Sequence, residues 1–295
     1  MIEVQTIDLH YLGRPLVIAS YVLESNDGLV MIETGPGSTL TAAQSALQSL
    51  GYKVEDVRHV LLTHIHLDHA GAAGWWARQG AHVYVHHFGA RHLIDPSKLM
   101  ASATRIYGDQ MERMWGEMLP VPAGQLTELH EGDVLKLGGL QFEVWETAGH
   151  ALHHMAFVLG KIAFTGDVAG TRVPGFSLVD APTPPPEFDL EVWRASLDRL
   201  LAADFIAIYP THFGRVENVA AQLQGVRVLI GEVAEFVRER MVAGVTAEQT
   251  AVEYREWYRA RAMAAGVSEE AFATLALSNA PEMTVNGVWR YWSKR

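Results

Sequence analysis

Short apolar runs broken by turn-forming residues fill most of this chain, and helical periodicity takes over towards its end. Residues 16–23 and 29–32 are apolar on either side of Ser25-Asn26-Asp27-Gly28, which predicts a hairpin. Glu33-Thr34-Gly35-Pro36-Gly37 then breaks the strand. A helix is expected next, capped by Ser38 or Thr39, with Leu40, Ala43, Leu47 and Leu50 on one face and Gly51 ending it. Residues 57–63 and 81–85 read as strands, with Trp75-Trp76 on a helix between them. Leu140, Phe142 and Val144 alternate with Gln141, Glu143 and Trp145, the period of a half-buried strand, and Gly138-Gly139 before them signals a two-residue turn. Another hairpin turns at Gly160-Lys161, between 155–159 and 162–165, and 205–209 is the last strand expected.

After about Arg215 the pattern is nearly all helix. Val226, Ile230, Val233, Val237 and Met241 recur at helical spacing, Thr246 and Gln249 form a capping box, and Ser268 before Glu269-Glu270 reads as another N-cap. Strands joined by hairpins, mixed with strand–helix units, predict two packed sheets with helices outside. The expected division is 1–214 as one domain and 215–295 as a helical region packed on it. The proline-rich stretch 182–186 reads as a stiff surface loop.

Composition narrows the classes. With 295 residues, 49% hydrophobic and 19% charged, the chain can bury a large core. A formal net charge of -11 without a basic block argues against nucleic acid as a partner. No apolar run is long enough to span a bilayer, and the first residues lack the basic and apolar regions of an export signal, so no membrane partner and a cytoplasmic location are expected. Cysteine is absent, which removes disulfides and thiolate ligands.

The chemistry lies at strand ends. His64-Ile65-His66-Leu67-Asp68-His69 follows an apolar run and sets three imidazoles and a carboxylate at H-x-H-x-D-H spacing. His150, Asp167 and His212 each follow a further strand. Seven nitrogen and oxygen donors without sulfur suit zinc, with iron or manganese as alternatives. Asp68 and Asp167 are the candidate catalytic carboxylates. Such a set predicts two divalent ions, a metal-bound hydroxide at neutral pH, and hydrolysis without a protein nucleophile. His86-His87 follow a strand on the same rim, and Tyr107 could offer a phenol to an oxyanion. His10, His59, His82, His92, His130 and His153 read as surface or satisfied core residues.

These motifs, spanning Glu33 to His212, resemble the metallo-β-lactamase superfamily on its glyoxalase II-like side. The resemblance implies an α/β fold, a four-layer αββα sandwich with a C-terminal helical appendage. It implies that His64, His66 and His150 hold one metal, that Asp68, His69 and His212 hold the other, and that Asp167 bridges them. Glu33 stands where the superfamily usually has Asp, and with His154 it would support the ligands from behind. The implied activity is dinuclear hydrolysis of a thioester, ester or lactone in a small-molecule substrate. The alternatives are a mononuclear iron persulfide dioxygenase using His64, His150 and Asp167, and a phosphodiesterase. A homodimer is compatible with all three.

Overall fold

The computed structural model describes residues 2–295, which fall into two compact units. The first comprises 1–146 and 153–164, the second 147–152 and 165–295.

The first unit holds β1 (Gln5–Asp8), β2 (Ala19–Ser25), β3 (Gly28–Ile32), α1 (Leu40–Ser49), β4 (Val57–Leu61), α2 (Leu67–Ala70), α3 (Ala73–Arg78) and β5 (His82–His86). It continues through α4 (His87–Ile94), α5 (Ser97–Tyr107), α6 (Met111–Met114), β6 (Leu126–Leu129), β7 (Val134–Leu137), β8 (Leu140–Glu146), β9 (Met155–Leu159) and β10 (Ile162–Phe164). One sheet has the order β1-β2-β3-β4-β5-β6. Its first three strands are antiparallel, and β3 to β6 run parallel. The other sheet is built from the hairpins β7-β8 and β9-β10. Tyr21 of β2 and Phe164 of β10, with ring centroids 5.6 Å apart, belong to the core between the sheets, and Phe142 of β8 packs on Phe164 at 6.4 Å.

Three predicted two-residue turns are present: Ser25 pairs with Gly28, Leu137 with Leu140 and Leu159 with Ile162. Other elements differ from expectation in detail. The first helix starts without a side-chain cap, because Thr39 Oγ1 donates to Pro36 O and a 3-10 turn over Gly37–Thr39 leads into it. The expected strand at 57–63 ends at Leu61, so the histidine cluster begins in irregular backbone. That placement matters: β3, β4 and β5 are parallel and end at one edge, where side chains of consecutive strands converge.

The second unit contains β11 (Thr171–Arg172), β12 (Val179–Asp180), α7 (Leu190–Ala202), β13 (Ala207–Tyr209), α8 (Val219–Val242), α9 (Ala247–Ala264), α10 (Glu269–Ser278) and α11 (Pro281–Ser293). Val226, Ile230, Val233 and Val237 form the buried stripe that the periodicity predicts, while Met241 is half-buried. Thr246 and Ser268 cap α9 and α10 through Gln249 N–H and Ala271 N–H. The proline-rich stretch is not wholly a surface loop: Ala181, Pro182 and Thr183 are buried. The helical tail covers them, since Thr183 Oγ1 donates to Thr284 O (3.0 Å) and Tyr258 Oη to Val179 O (3.0 Å). Among the described residues, no helix is long and apolar enough to cross a membrane.

Candidate metal centre

Glu33 directly follows β3 and lies in the left-handed region (φ 62°), a conformation that costs a residue with a Cβ and persists only where its surroundings fix it. Its backbone N–H donates to Leu61 O (3.0 Å), continuing the parallel ladder, and the turn sends the carboxylate inward, where it is fully buried. There it accepts from Thr63 Oγ1, from Thr63 N–H (3.4 Å) and from His69 Nδ1 (3.2 Å).

This one carboxylate sets the tautomers of two imidazoles. Thr63 gives its hydroxyl hydrogen to Glu33, so towards His64 Nδ1, 3.1 Å away, it acts as acceptor. The proton of His64 therefore sits on Nδ1 and its Nε2 carries a lone pair. His69 donates through Nδ1 directly, which leaves its Nε2 lone pair facing Asp68 Oδ2 at 3.7 Å. His64 Nε2 lies 2.9 Å from His66 Nδ1. His66 occupies the N-cap position of α2 without using its ring as a cap. His64, His66, Asp68 and His69 thus meet around one short loop and one helical turn. His64 and His69 are buried; His66 and Asp68 are half-buried.

In the second unit His150, Asp167 and His212 also come together, all buried. His150 Nδ1 donates to Pro182 O (2.8 Å), so its Nε2 carries the lone pair, and that atom is 3.4 Å from Asp167 Oδ2. His212 Nε2 is 3.5 Å from Asp167 Oδ1. Gly149 makes this possible. Its φ is +132°, and a Cβ there would stand 2.3 Å from Trp193 Cα. Trp193 is held by its Nε1–H donating to Val168 O (2.9 Å), and its ring meets His150 edge-on at 5.7 Å.

The donor chemistry fits a metal. Neutral imidazole lone pairs facing carboxylate oxygens, as at His69 and His150, repel unless a cation or proton lies between them. Rings whose other nitrogen donates to a carbonyl or carboxylate are the usual form of metal-bound histidine.

Neighbouring residues complete the picture. His154, fully buried, has its ring 5.0 Å from that of His64. His153 reads from sequence as a surface or satisfied core residue, yet it joins the cluster: it is buried, edge-on to His66 at 5.6 Å and stacked on His64 at 6.1 Å. Thr63 and Pro182 were not singled out by sequence. Direct adjacency of Thr63 to His64 is a signal in hindsight, whereas Pro182 carries none. Tyr107 packs edge-on against Trp115 at 5.0 Å, and burial together with the nearby Asp68 charge pushes its phenol up to about 12, so it stays a proton donor.

The chain is 30% identical over 189 residues to the metallo-beta-lactamase fold-containing protein ST1585 of Sulfurisphaera tokodaii, covering 63% of this chain and 68% of that one. It is 34% identical over 175 residues to a hydroxyacylglutathione hydrolase of Methylobacterium nodulans, covering 58% of this chain but only 53% of that protein's length. Among solved structures, the metallo-beta-lactamase family protein TTHA1429 of Thermus thermophilus superposes with a TM-score of 0.72 at 20% identity, covering 99% of this chain and 93% of the other; it shows the fold. A sequence profile described as the metallo-beta-lactamase superfamily matches residues 13–212, which takes in every residue of the two clusters. With its mixed α/β fold and its histidine and aspartate clusters, the chain belongs to the metallo-beta-lactamase superfamily, a family of metal-dependent hydrolases.

Proposed function

We propose that this protein is a dinuclear metal-dependent hydrolase of an ester-like acyl bond, with a thioester, ester or lactone of a small molecule as substrate. His64, His66 and His150 would hold one divalent ion, most simply zinc, and Asp68, His69 and His212 the other, with Asp167 shared between them. The observation that carries the reading is the locked tautomers: Glu33 and Pro182 O take the Nδ1 protons of His69 and His150, and Thr63 that of His64. Each of these rings therefore presents a lone pair without rearrangement. Two such ions, when bound, supply Lewis acidity that acidifies water and polarises a carbonyl.

The chain's own groups do the rest. Water oxygen forms the new bond to the acyl carbon, the bond to the sulfur or oxygen leaving group breaks, and that group takes a proton. Asp68, with its side chain 19% exposed, is the carboxylate open to exchange protons with solvent. Asp167, at 3% exposure, lies against His150 Nε2 and His212 Nε2 through its two oxygens and would orient both rings. The similarity to a hydroxyacylglutathione hydrolase favours thioesters within this class.

The test combines metal quantification with a substrate panel on one preparation. Protein reconstituted with zinc, iron or manganese should bind close to two ions at the centre and hydrolyse at least one of a hydroxyacylglutathione, an aryl ester and an acyl lactone. A single iron with oxygen uptake on a persulfide would replace this reading with the mononuclear dioxygenase. Turnover of bis(p-nitrophenyl) phosphate alone would replace it with a phosphodiesterase.

A further inference from the structure

In the second unit the helical tail reaches His150 through a buried chain of polar groups. Asn279, directly after α10, donates through Nδ2 to Asp180 Oδ2 (3.0 Å) and accepts through Oδ1 from Thr284 Oγ1 of α11 (2.7 Å). Asp180 Oδ1 accepts the N–H of Ala181 (2.8 Å), and Thr183 Oγ1 donates to Thr284 O (3.0 Å). Asp180, Ala181, Thr183, Asn279 and Thr284 are all buried.

Pro182 stands between the two pinned residues, and its carbonyl accepts from His150 Nδ1 (2.8 Å). A proline has no N–H to bond, and its ring fixes φ, so only ψ is left to aim the carbonyl. The residue before a proline is restricted too, which stiffens the link from Ala181. The direction of Pro182 O is therefore set by where Ala181 and Thr183 are held. The elbow between α10 and α11 holds both, Ala181 by way of Asp180 and Asn279, Thr183 by way of the Thr284 carbonyl.

From this arrangement we infer that Asp180 and Asn279 are positioning residues of the metal centre, acting through the Pro182 carbonyl to hold the His150 proton on Nδ1. The inference rests on the reading of His150 as a metal ligand. A buried carboxylate is costly, and an apolar pair could close the same gap between the elbow and the 180–183 segment. What the carboxylate and the amide add is direction: each oxygen of Asp180 meets one donor, and Thr284 decides which end of the Asn279 amide faces it. A carbonyl aimed this way selects one tautomer of His150, because the proton sits on the nitrogen that faces an acceptor.

Exchanging the two residues supplies the test. In Asp180→Asn/Asn279→Asp the amide at 180 donates to the carboxylate at 279, its oxygen still accepts from Ala181, and the second carboxylate oxygen still accepts from Thr284. In Asn279→Asp alone, two carboxylates face each other and repel. Both variants are compared with the wild type as full-length protein at pH 8. In metal-free protein, proton–nitrogen NMR should show His150 as a single Nδ1–H tautomer in the wild type and the exchanged pair, and as a tautomer mixture in Asn279→Asp. Zinc affinity by chelator competition should fall about 10-fold in Asn279→Asp, the low end for loss of a supporting partner, and return in the exchanged pair. Ser268→Ala, which removes the N-cap of α10, should lower the melting temperature and move neither readout, so that lost stability is told from lost positioning. Thr284→Val frees the Asn279 amide to turn and takes the place of Asn279→Asp should that variant not fold; the same two changes are expected in it. Wild-type tautomer and affinity in the folded one of these single variants would overturn the inference, as would a folded exchanged pair that recovers neither. The tautomer is read without metal, so failure of the proposed hydrolase to bind or turn over leaves this test standing.

Discussion

At the scale of single residues, Glu33 is the pivot of the candidate centre. A carboxylate one methylene longer than the usual Asp reaches Thr63 and His69 because its backbone turns into the left-handed region at the end of β3. Removing it leaves the His69 Nδ1–H buried without an acceptor and frees Thr63 to reorient, so both tautomers are lost together. Glu33→Ala should therefore weaken metal affinity by roughly 10–100-fold or more. Glu33→Asp should stay folded and metal-bound with a smaller loss, since Asp tolerates positive φ and keeps the charge. Isothermal titration with zinc and the melting temperature, measured on both variants, decide this. Unchanged affinity with only a small melting shift in the Ala variant would reduce Glu33 to a structural role. Asp167→Asn is the companion change: a neutral amide bridges cations poorly, so affinity for both ions and turnover should nearly vanish.

At the scale of elements, the helical tail has a task that its sequence does not announce. Helix α11 crosses the 181–183 segment so closely that a Cβ on Gly287 would lie 1.8 Å from Thr183 O. That segment carries the Pro182 carbonyl that fixes His150. Substitution at Gly287 must push α11 or the segment aside, and His150 with it. Gly287→Ala should lower the melting temperature by several degrees, at roughly 2–4 °C per kcal/mol for a chain of this size, and weaken zinc binding measured by titration. Gly266→Ala is the contrast: its φ is +78°, yet a Cβ there meets nothing within 4 Å, so it should cost stability with metal affinity unchanged. A Gly287→Ala protein with normal affinity would uncouple the tail from the centre.

For the molecule as a whole, one buried carboxylate shapes the response to pH. Asp180 accepts from Asn279 Nδ2 (3.0 Å) and Ala181 N–H (2.8 Å), but burial outweighs both and pushes its pKa up to about 6. The folded state then holds a proton that the unfolded chain releases near pH 4. Stability contributed by that proton is present at low pH and is lost as pH rises from about 4 through about 6, by on the order of 3 kcal/mol. Urea denaturation of metal-free protein at pH 5 and pH 8 measures it. The wild type should lose stability across this interval relative to Asp180→Asn, in which no such titration occurs. Parallel pH profiles would remove Asp180 from this role.

Sequence by itself determined the local elements and the identity of the donors. Hairpin turns such as Asn26-Asp27 and Gly160-Lys161, the caps at Thr246 and Ser268, and the buried stripe of α8 follow from short-range rules that depend only on nearby residues. The H-x-H-x-D-H run was legible because its ligands lie within one loop and one helical turn, where spacing alone brings them together. Tertiary structure decided what each donor can do. That His64 and His69 share Glu33, that Pro182 backs His150, and that His153 joins the cluster depend on contacts between residues distant in sequence. Residue type fixes which atoms can donate or accept. Only the packed backbone fixes where each proton sits, because a tautomer is chosen by the partner that faces it.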